Sequence, residues 1–123
     1  MLINLSNHPS NKWGNKQQNA ASEKYGIISD LPFPDIDPSW SKEKIQRLCN
    51  EYFTKIAQML DLCANEPKLN AVHIQGEFTF VFNLVTLLKS AEIECIASTS
   101  ERKVKEIDRK KIVEFDFVQF REY

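Results

Sequence analysis

Short apolar runs alternate with helical patterns along this chain, and this alternation limits the folds that it can adopt. Four runs have the length of a strand, and a polar or proline-rich segment follows each of them: Leu2–Leu5, residues 27–31, Ala71–Ile74 and residues 93–97. Helical patterns separate these runs, an order typical of a mostly parallel sheet with helices on its faces. We therefore predict an α/β domain built on a mostly parallel sheet with flanking helices.

Two of the helical segments have recognisable ends. Residues 11–24 form the weaker one, in which Ser10 is a candidate N-cap and Gly26 suits the position after the last turn. Residues 41–64 carry apolar side chains at intervals of three and four, with Ser41 as the N-cap. The second segment is therefore predicted to be a long amphipathic helix that packs on one face of the sheet.

A third helix, predicted over residues 78–91, is apolar nearly all round. A peripheral helix in so small a domain normally keeps one polar face. We therefore expect residues 78–88 to pack on the sheet and also against a second subunit, which predicts a homodimer.

The C-terminal part of the chain predicts a β-hairpin. Residues 98–102 are polar and are interpreted as a loop, after which residues 103–107 and 112–123 flank a charged turn. The parity of the apolar positions changes after Phe117, which predicts a β-bulge or a change of burial there.

Length and charge narrow the class of protein. The chain has 123 residues, enough for a single domain over residues 1–123, and its apolar and charged fractions of 42% and 27% are those of a packed globular protein. Its net charge of −1 provides no long-range attraction to duplex nucleic acid or to an anionic membrane. No segment resembles a signal peptide or a membrane span, so we expect a cytoplasmic protein.

The cysteines agree with that compartment. Cys49, Cys63 and Cys95 are odd in number and lack metal-ligand spacing. Each falls on an apolar helical stripe or in a strand, so we expect buried free thiols of the kind that a reducing compartment preserves.

The candidate functional residues follow the strands, because parallel sheets bind ligands at the carboxyl ends of their strands. His8 is the candidate proton donor or acceptor, Asn7 lies beside it, and Arg102 is the candidate phosphate contact. His73 lies within a strand and is interpreted as a packed histidine rather than a site residue. The remaining candidate ligand-binding residues are Ser6, Ser10, Phe33, Gln75, Gly76, Glu77, Thr79, Ser98, Thr99 and Ser100.

Gly76 stands out among these candidates because the chain has only three glycines and this one follows a strand. A bare backbone at that point can approach a ligand closely. Familiar signatures of cofactor and metal enzymes are missing: there is no P-loop, no dinucleotide-binding glycine pattern and no paired metal-ligand motif. We therefore predict neither a cofactor nor a metal.

The order of these segments resembles a known family. It runs from Leu5-Ser6-Asn7-His8-Pro9 through Gln75-Gly76-Glu77 and Ser98-Thr99-Ser100-Glu101-Arg102 to the ending Phe120-Arg121-Glu122-Tyr123. The pattern is similar to that of small stand-alone CRISPR-associated proteins of the ring nuclease group, which have a CARF-like, Rossmann-like fold.

The resemblance implies a function that the residues alone do not. It implies a homodimer that binds cyclic oligoadenylate, with cyclic tetraadenylate the expected ring, and cleaves it without a metal to switch off type III CRISPR signalling. His8, Asn7 and Arg102 would then be the catalytic residues. Two alternatives stay open: a non-catalytic sensor or sponge for the same nucleotide, and a structural α/β dimer whose polar loops bind no ligand.

Overall fold

A five-stranded sheet organises the fold in the computed structural model, which describes residues 1–62 and 69–123. The strands are β1 (Leu2–Leu5), β2 (Ile28–Asp30), β3 (Ala71–Ile74), β4 (Cys95–Ile107) and β5 (Lys110–Glu122). They lie in the order β2-β1-β3-β4-β5, parallel to one another except for β5, which is antiparallel to β4. The predicted α/β architecture, with a mostly parallel sheet and a C-terminal hairpin, is confirmed.

Helices cover both faces of this sheet. They are α1 (Asn15–Tyr25), α2 (Lys42–Asp61) and α3 (Phe78–Ser90), and a 3₁₀ turn, Ser10–Lys12, precedes α1. The chain moves from β1 to β2 on one side and then crosses to β3 on the other side of β1. The direction of the connections thus reverses between β1 and β3, and such a switch point is where open α/β sheets bind their ligands.

The alternation of side chains along the strands produces two apolar layers. One layer lies between the sheet and α2 and α3, and its strand residues include Ile3, Leu5, Val72 and Ile74. The other lies towards α1, where Trp13, Ala21 and Tyr25 pack with Leu2, Ala71 and Ile96. β1 and β3 are buried on both faces, which explains why their sequences read as nearly continuous apolar runs.

The helix ends agree with the sequence where their signals are local. The Ser41 side chain caps α2 by accepting the Lys44 backbone N–H at 3.2 Å, and Gly26 ends α1 with a φ of 78°. The Ser10 prediction was wrong: α1 begins after Gly14, because the hydroxyl of Ser10 donates to Asp30 on β2 instead. The predicted continuation of α2 into Cys63 and Ala64 lies outside the described residues.

The interpretation of residues 98–102 as a loop was wrong. β4 runs without a break from Cys95 to Ile107, so the predicted fourth strand and the first hairpin strand are one element. Among the described residues, β4 pairs with β5 alone beyond Ile96, and this outer part projects from the parallel sheet. A strand with solvent on both sides needs no apolar side chains, and for that reason its sequence resembles a loop.

The hairpin itself has the predicted irregularity. Thr99 pairs with Gln119 and Ser100 with Phe117, so Val118 is the extra residue of a β-bulge. The prediction of a bulge near Phe117 is therefore confirmed. The turn consists of Asp108 and Arg109, both with positive φ.

Two further expectations concern buried and exposed apolar side chains. Cys49 and Cys95 are free and buried as predicted, whereas Cys63 lies outside the described residues. α3 buries Phe80, Leu84, Val85 and Leu88 but leaves Phe78 and Phe82 in solvent.

Within residues 1–62 and 69–123, no helix is both long and apolar enough to cross a membrane.

Candidate functional site

A cleft of about 630 Å³ opens at the switch point of the sheet, on the side of α1. We call it the main cleft. It is bounded by the loop after β1, the N-terminal end of α1, the end of β3 and the inner side of the hairpin. Five of the predicted site residues line it, namely Ser6, His8, Gln75, Ser98 and Ser100.

Charged side chains surround the main cleft. Lys12, Lys16 and Lys103 line it together with Glu101 and Asp116. Lys103 and Asp116 form an ion pair at 2.9 Å across the hairpin, and this contact lowers the pKa of Asp116. The lysines near the start of α1 are therefore the cations best placed for an anionic ligand.

The start of α1 adds a second attraction for an anion. Gly14 is its N-cap, and no side chain of the described residues caps the helix there. Gly14, Asn15 and Lys16 all line the main cleft. The free backbone N–H groups at a helix N-terminus and the positive end of the helix dipole both favour negative charge.

A row of polar side chains crosses the sheet beneath the main cleft. Asp30, Asn4 and His73 occupy matching positions on β2, β1 and β3, so their side chains share one face. The Asn4 Nδ2 atom donates to Asp30 Oδ1 at 2.7 Å, and the Asn4 Oδ1 atom lies 2.9 Å from His73 Nδ1. His73 Nε2 lies 3.2 Å from the Ser98 hydroxyl on β4, which completes a chain of contacts across four strands.

Gln75 holds Ser98 from the other side. The Ser98 hydroxyl donates to Gln75 Oε1 at 2.5 Å, and the Gln75 side-chain amide donates to the Ser98 carbonyl at 3.2 Å. Gln75 Oε1 also accepts the Ser98 backbone N–H. Ser98 and Gln75, both predicted site residues, are therefore brought into direct contact.

Aromatic rings shield His73 from solvent. The rings of Trp13 and Phe120 lie 5.3 Å and 5.6 Å from the His73 ring, both in edge-to-face geometry, and His73 is only 2% exposed. This burial lowers the pKa of His73 from 6.5 to about 4, because a protonated ring would lose its hydration. His73 is therefore a neutral imidazole at neutral pH.

The loop after β1 is held by the carbonyl of His8. Asn4 Nδ2 donates to it at 2.9 Å, and the Ser6 hydroxyl and the Trp13 indole N–H each donate at 3.2 Å. The backbone of His8 is fixed by these contacts while its ring stays exposed at the main cleft. The structure therefore presents the His8 side chain to the main cleft.

The structure does not bring all of the predicted residues together. Asn7, Phe33 and Glu77 line a separate depression of about 400 Å³. Arg102 is exposed on β4 and is not among the residues that line the main cleft. The three predicted catalytic residues are thus distributed over different surfaces.

Internal contacts account for several other predicted site residues. The Glu77 carboxylate caps α3 by accepting the backbone N–H groups of Thr79 and Phe80, and the Thr79 hydroxyl donates to it as well. The Thr99 hydroxyl bonds to the Gln119 backbone beside the bulge. The Ser10 hydroxyl donates to Asp30 at 2.9 Å.

Gly76 has a structural reason to be glycine. A Cβ atom at this position would overlap the ring of Phe33, which packs edge-to-face on Phe80 at 5.2 Å. The bare backbone therefore accommodates an aromatic side chain of the same protein, whereas the sequence suggested a ligand.

Sequence reasoning missed Asn4 and Asp30 and assigned His73 to packing alone. A signal was present, since the first three strands all carry polar residues among apolar ones, and these include Asn4, Asp30 and His73. In neighbouring parallel strands such residues align when the registers match, but the registers are set by contacts distant in sequence.

Within the described residues, no three or more His, Cys, Asp or Glu side chains are grouped as metal ligands.

Fold and cleft together define a small α/β protein with a ligand-sized cavity at its switch point. A family model described as "Uncharacterized protein MJ1673 family" matches residues 1–121, and the chain belongs to this family. No curated protein and no solved structure matches the chain.

Proposed function

We propose that this protein is a ring nuclease that binds cyclic oligoadenylate, with cyclic tetraadenylate as its substrate, and cleaves it without a metal. The single observation that carries the proposal is the composition of the main cleft. Lysines, a helix N-terminus and aromatic rings surround an acceptor-rich floor at the carboxyl ends of the strands. The resemblance to stand-alone CRISPR-associated ring nucleases supplies the identity of the nucleotide.

The cations of the main cleft suit a phosphodiester. Lys12 and Lys16 lie beside the open end of α1, so a phosphate there would receive both side-chain and backbone hydrogen bonds. Glu101 and Asp116 line the cleft from the hairpin, where they would repel a phosphate. The phosphate is therefore assigned to the α1 side of the cleft.

Aromatic side chains of the main cleft suit an adenine base. Phe115 and Phe117 line the hairpin wall, and Phe115 is 67% exposed. A purine stacked on such a ring gains about 1–3 kcal/mol per base. A bound nucleotide would therefore place its phosphate against α1 and its base against the hairpin.

The proposed reaction needs no external reagent. The ribose 2′-hydroxyl attacks the adjacent phosphorus, the bond from phosphorus to the 5′-oxygen breaks, and a 2′,3′-cyclic phosphate forms on a linear product. The proton lost by the 2′-hydroxyl passes to a base, and the 5′-oxygen gains one from an acid. The protein contributes geometry and charge stabilisation, with the exposed ring of His8 at the cleft as a group that can carry a proton.

A homodimer is part of the proposal. Phe78 and Phe82 of α3 are 89% and 73% exposed and border an apolar hollow of about 710 Å³. Two-fold pairing through α3 would cover this apolar surface. The buried free thiols of Cys49 and Cys95 support a cytoplasmic location, because they persist in a reducing compartment.

A second candidate function is a non-catalytic sensor for the same nucleotide. The observation in its favour is that Asn7 and Arg102 do not line the cleft that His8 lines. A protein with dispersed candidate catalytic groups can still bind the ligand and transmit the signal to a partner.

The test is incubation of the purified protein with cyclic tetraadenylate and cyclic hexaadenylate in excess EDTA, followed by chromatographic separation of the products. We expect a linear product ending in a 2′,3′-cyclic phosphate from the tetraadenylate. Intact ligand recovered bound to the protein would replace the nuclease with the sensor. Absence of both binding and cleavage would refute both functions.

Two matched variants test where the phosphate binds. Lys16→Ala removes a cation that lines the main cleft, and Arg102→Ala removes one that does not. A lost charge-assisted hydrogen bond costs about 1.5–3 kcal/mol, so Lys16→Ala should weaken binding about ten- to a hundredfold while Arg102→Ala changes it little. The opposite ranking would assign the phosphate to Arg102, the contact that the sequence suggested.

A further inference from the structure

The orientation of the Asn4 amide is determined by its neighbours. Its Nδ2 group faces the Asp30 carboxylate and the His8 carbonyl, and neither of these can donate a hydrogen bond. Desolvation opposes the ionisation of Asp30, but hydrogen bonds from Asn4 and Ser10 outweigh it and lower the pKa of that carboxyl. The amide nitrogen must therefore point to Asp30, and Asn4 Oδ1 must point to His73.

This orientation selects one tautomer of His73. Asn4 Oδ1 only accepts hydrogen bonds, and it lies 2.9 Å from His73 Nδ1, so the proton of the neutral ring resides on Nδ1. His73 Nε2 then carries a lone pair directed at the Ser98 hydroxyl, 3.2 Å away. The low pKa of His73 keeps this lone pair available throughout the neutral range.

Ser98 has one proton and two acceptors to give it to. Its hydroxyl lies 2.5 Å from Gln75 Oε1 and 3.2 Å from His73 Nε2. Backbone groups of Ser98 hold both the oxygen and the nitrogen of the Gln75 amide, so Gln75 cannot turn its own N–H towards the hydroxyl. Gln75 Oε1 also accepts the Ser98 backbone N–H, so it keeps a donor when the Ser98 hydroxyl proton turns to His73 Nε2. A ligand hydroxyl can then donate to the free lone pair of Ser98 Oγ.

The location of this group agrees with a role in the main cleft. Ser98, His73 and Gln75 all line it. Buried hydrogen-bonded polar groups contribute little net stability compared with apolar residues of similar volume. A polar row at the switch point is thus better explained by what enters the cleft than by the stability of the sheet.

We infer that His73 and Ser98 are the proton acceptor of the main cleft, with Asn4 and Asp30 as positioning residues that hold the tautomer of His73. The inference rests on the proposed ring nuclease function. The 2′-hydroxyl of the ligand gives its proton to Ser98 Oγ while Ser98 gives its own to His73 Nε2. The new bond from the 2′-oxygen to phosphorus forms as the bond to the 5′-oxygen breaks, and the 5′-oxygen takes its proton from His8 or from water.

The experiment compares His73→Gln, Ser98→Ala and the wild-type protein, with both binding and cleavage of cyclic tetraadenylate measured. Loss of a general base lowers a rate by about 10²–10⁴-fold, so we expect a fall of that size in His73→Gln and of at least about tenfold in Ser98→Ala, with affinity nearly unchanged. Ser98→Ala removes only a partly exposed hydroxyl, so it remains informative if His73→Gln does not fold.

A matched control is Ser29→Ala. Ser29 is a strand serine that aligns with Ile3 on the other parity of the sheet, away from the polar row. We expect this variant to cleave at the wild-type rate. Equal losses in Ser29→Ala and Ser98→Ala would overturn the inference in favour of a general effect on the sheet.

A spectrum tests the positioning role without reference to catalysis. In ¹⁵N-labelled wild-type protein the His73 imidazole should show a protonated Nδ1 and an unprotonated Nε2, and Asn4→Ala should shift the population towards the other tautomer. A wild-type Nε2–H tautomer would overturn the inference. If His73→Gln and Ser98→Ala cleave as fast as the wild type, the inference is refuted but the ring nuclease function is not. If the wild-type protein neither binds nor cleaves the ligand, the proposed function itself is refuted.

Discussion

His73 is a buried histidine whose environment changes its acid–base behaviour. The ring lies between Trp13 and Phe120, and Asn4 and Ser98 bond to its two nitrogens. Burial lowers its pKa to about 4, and the positive charge of a protonated His8 acts in the same direction. The unfolded chain, in which histidine has a pKa near 6.5, therefore binds the proton more readily than the folded protein does.

Stability should accordingly fall with pH in a defined window. The folded state binds fewer protons than the unfolded state between about pH 6.5 and pH 4, so stability is lost as the pH falls through this range. From pH 7 to pH 4.5 the contribution of His73 to the free energy of unfolding should decline by about 2 kcal/mol. Urea unfolding of wild type and His73→Gln at both pH values measures this difference directly.

His8→Gln serves as the control for that experiment, because it changes the other, exposed histidine. We expect this variant to lose stability as the wild type does. The same loss in His73→Gln would mean that carboxylates, and not His73, cause the acid sensitivity.

The sequence did not predict that the hairpin β4–β5 would line the candidate site. The hairpin contributes Ser98, Ser100, Lys103 and Phe115 to the lining of the main cleft, so it is part of the candidate site. Its turn is made by Asp108 and Arg109, with φ angles of 50° and 65°. Aspartate and asparagine tolerate such values better than other non-glycine residues, so the conformational cost of the turn lies at Arg109.

Arg109→Gly should relieve part of this cost. We expect the hairpin to gain about 0.5–1 kcal/mol, since a left-handed non-glycine residue costs more than the extra entropy of glycine. Amide hydrogen exchange next to the turn should then slow by about two- to fivefold. Arg109→Ala, which keeps the Cβ atom, should leave exchange unchanged; faster exchange in the glycine variant would contradict the turn geometry.

At the scale of the whole molecule, α3 carries an apolar surface that the described residues leave uncovered. Phe78 and Phe82 lie exposed on α3 while the opposite side of the same helix is buried. Exposed neighbouring phenylalanines are unusual on a small monomer. This surface is the physical basis for the proposed dimer.

Light scattering at micromolar concentration should give twice the chain mass of 14.3 kDa for the wild type. Phe82→Glu places a charge on the proposed contact and should give the monomer mass. Leu62→Glu is the control, because Leu62 is a similarly exposed apolar residue at the end of α2. A monomeric wild type, with or without cyclic tetraadenylate, would contradict the dimer.

Features with local causes were predicted from the sequence alone. The three parallel strands before β4, the three helices and the caps at Ser41 and Gly26 depend on side-chain patterns and backbone preferences within a few residues. The presence of the hairpin and the bulge near Phe117 were likewise visible in the parity of its apolar residues. Fold class therefore followed from the order of short apolar runs.

Tertiary structure decided which residues meet. The Ser10 side chain binds Asp30 and does not cap a helix as predicted. Residues 98–102 form a strand because β5 pairs with them. Gly76 makes room for the Phe33 ring. The row from Asp30 through Asn4 to His73 depends on the registers of three strands that are remote in sequence. Local propensity carries no information on such registers, because they arise when the apolar layers on both faces of the sheet pack together.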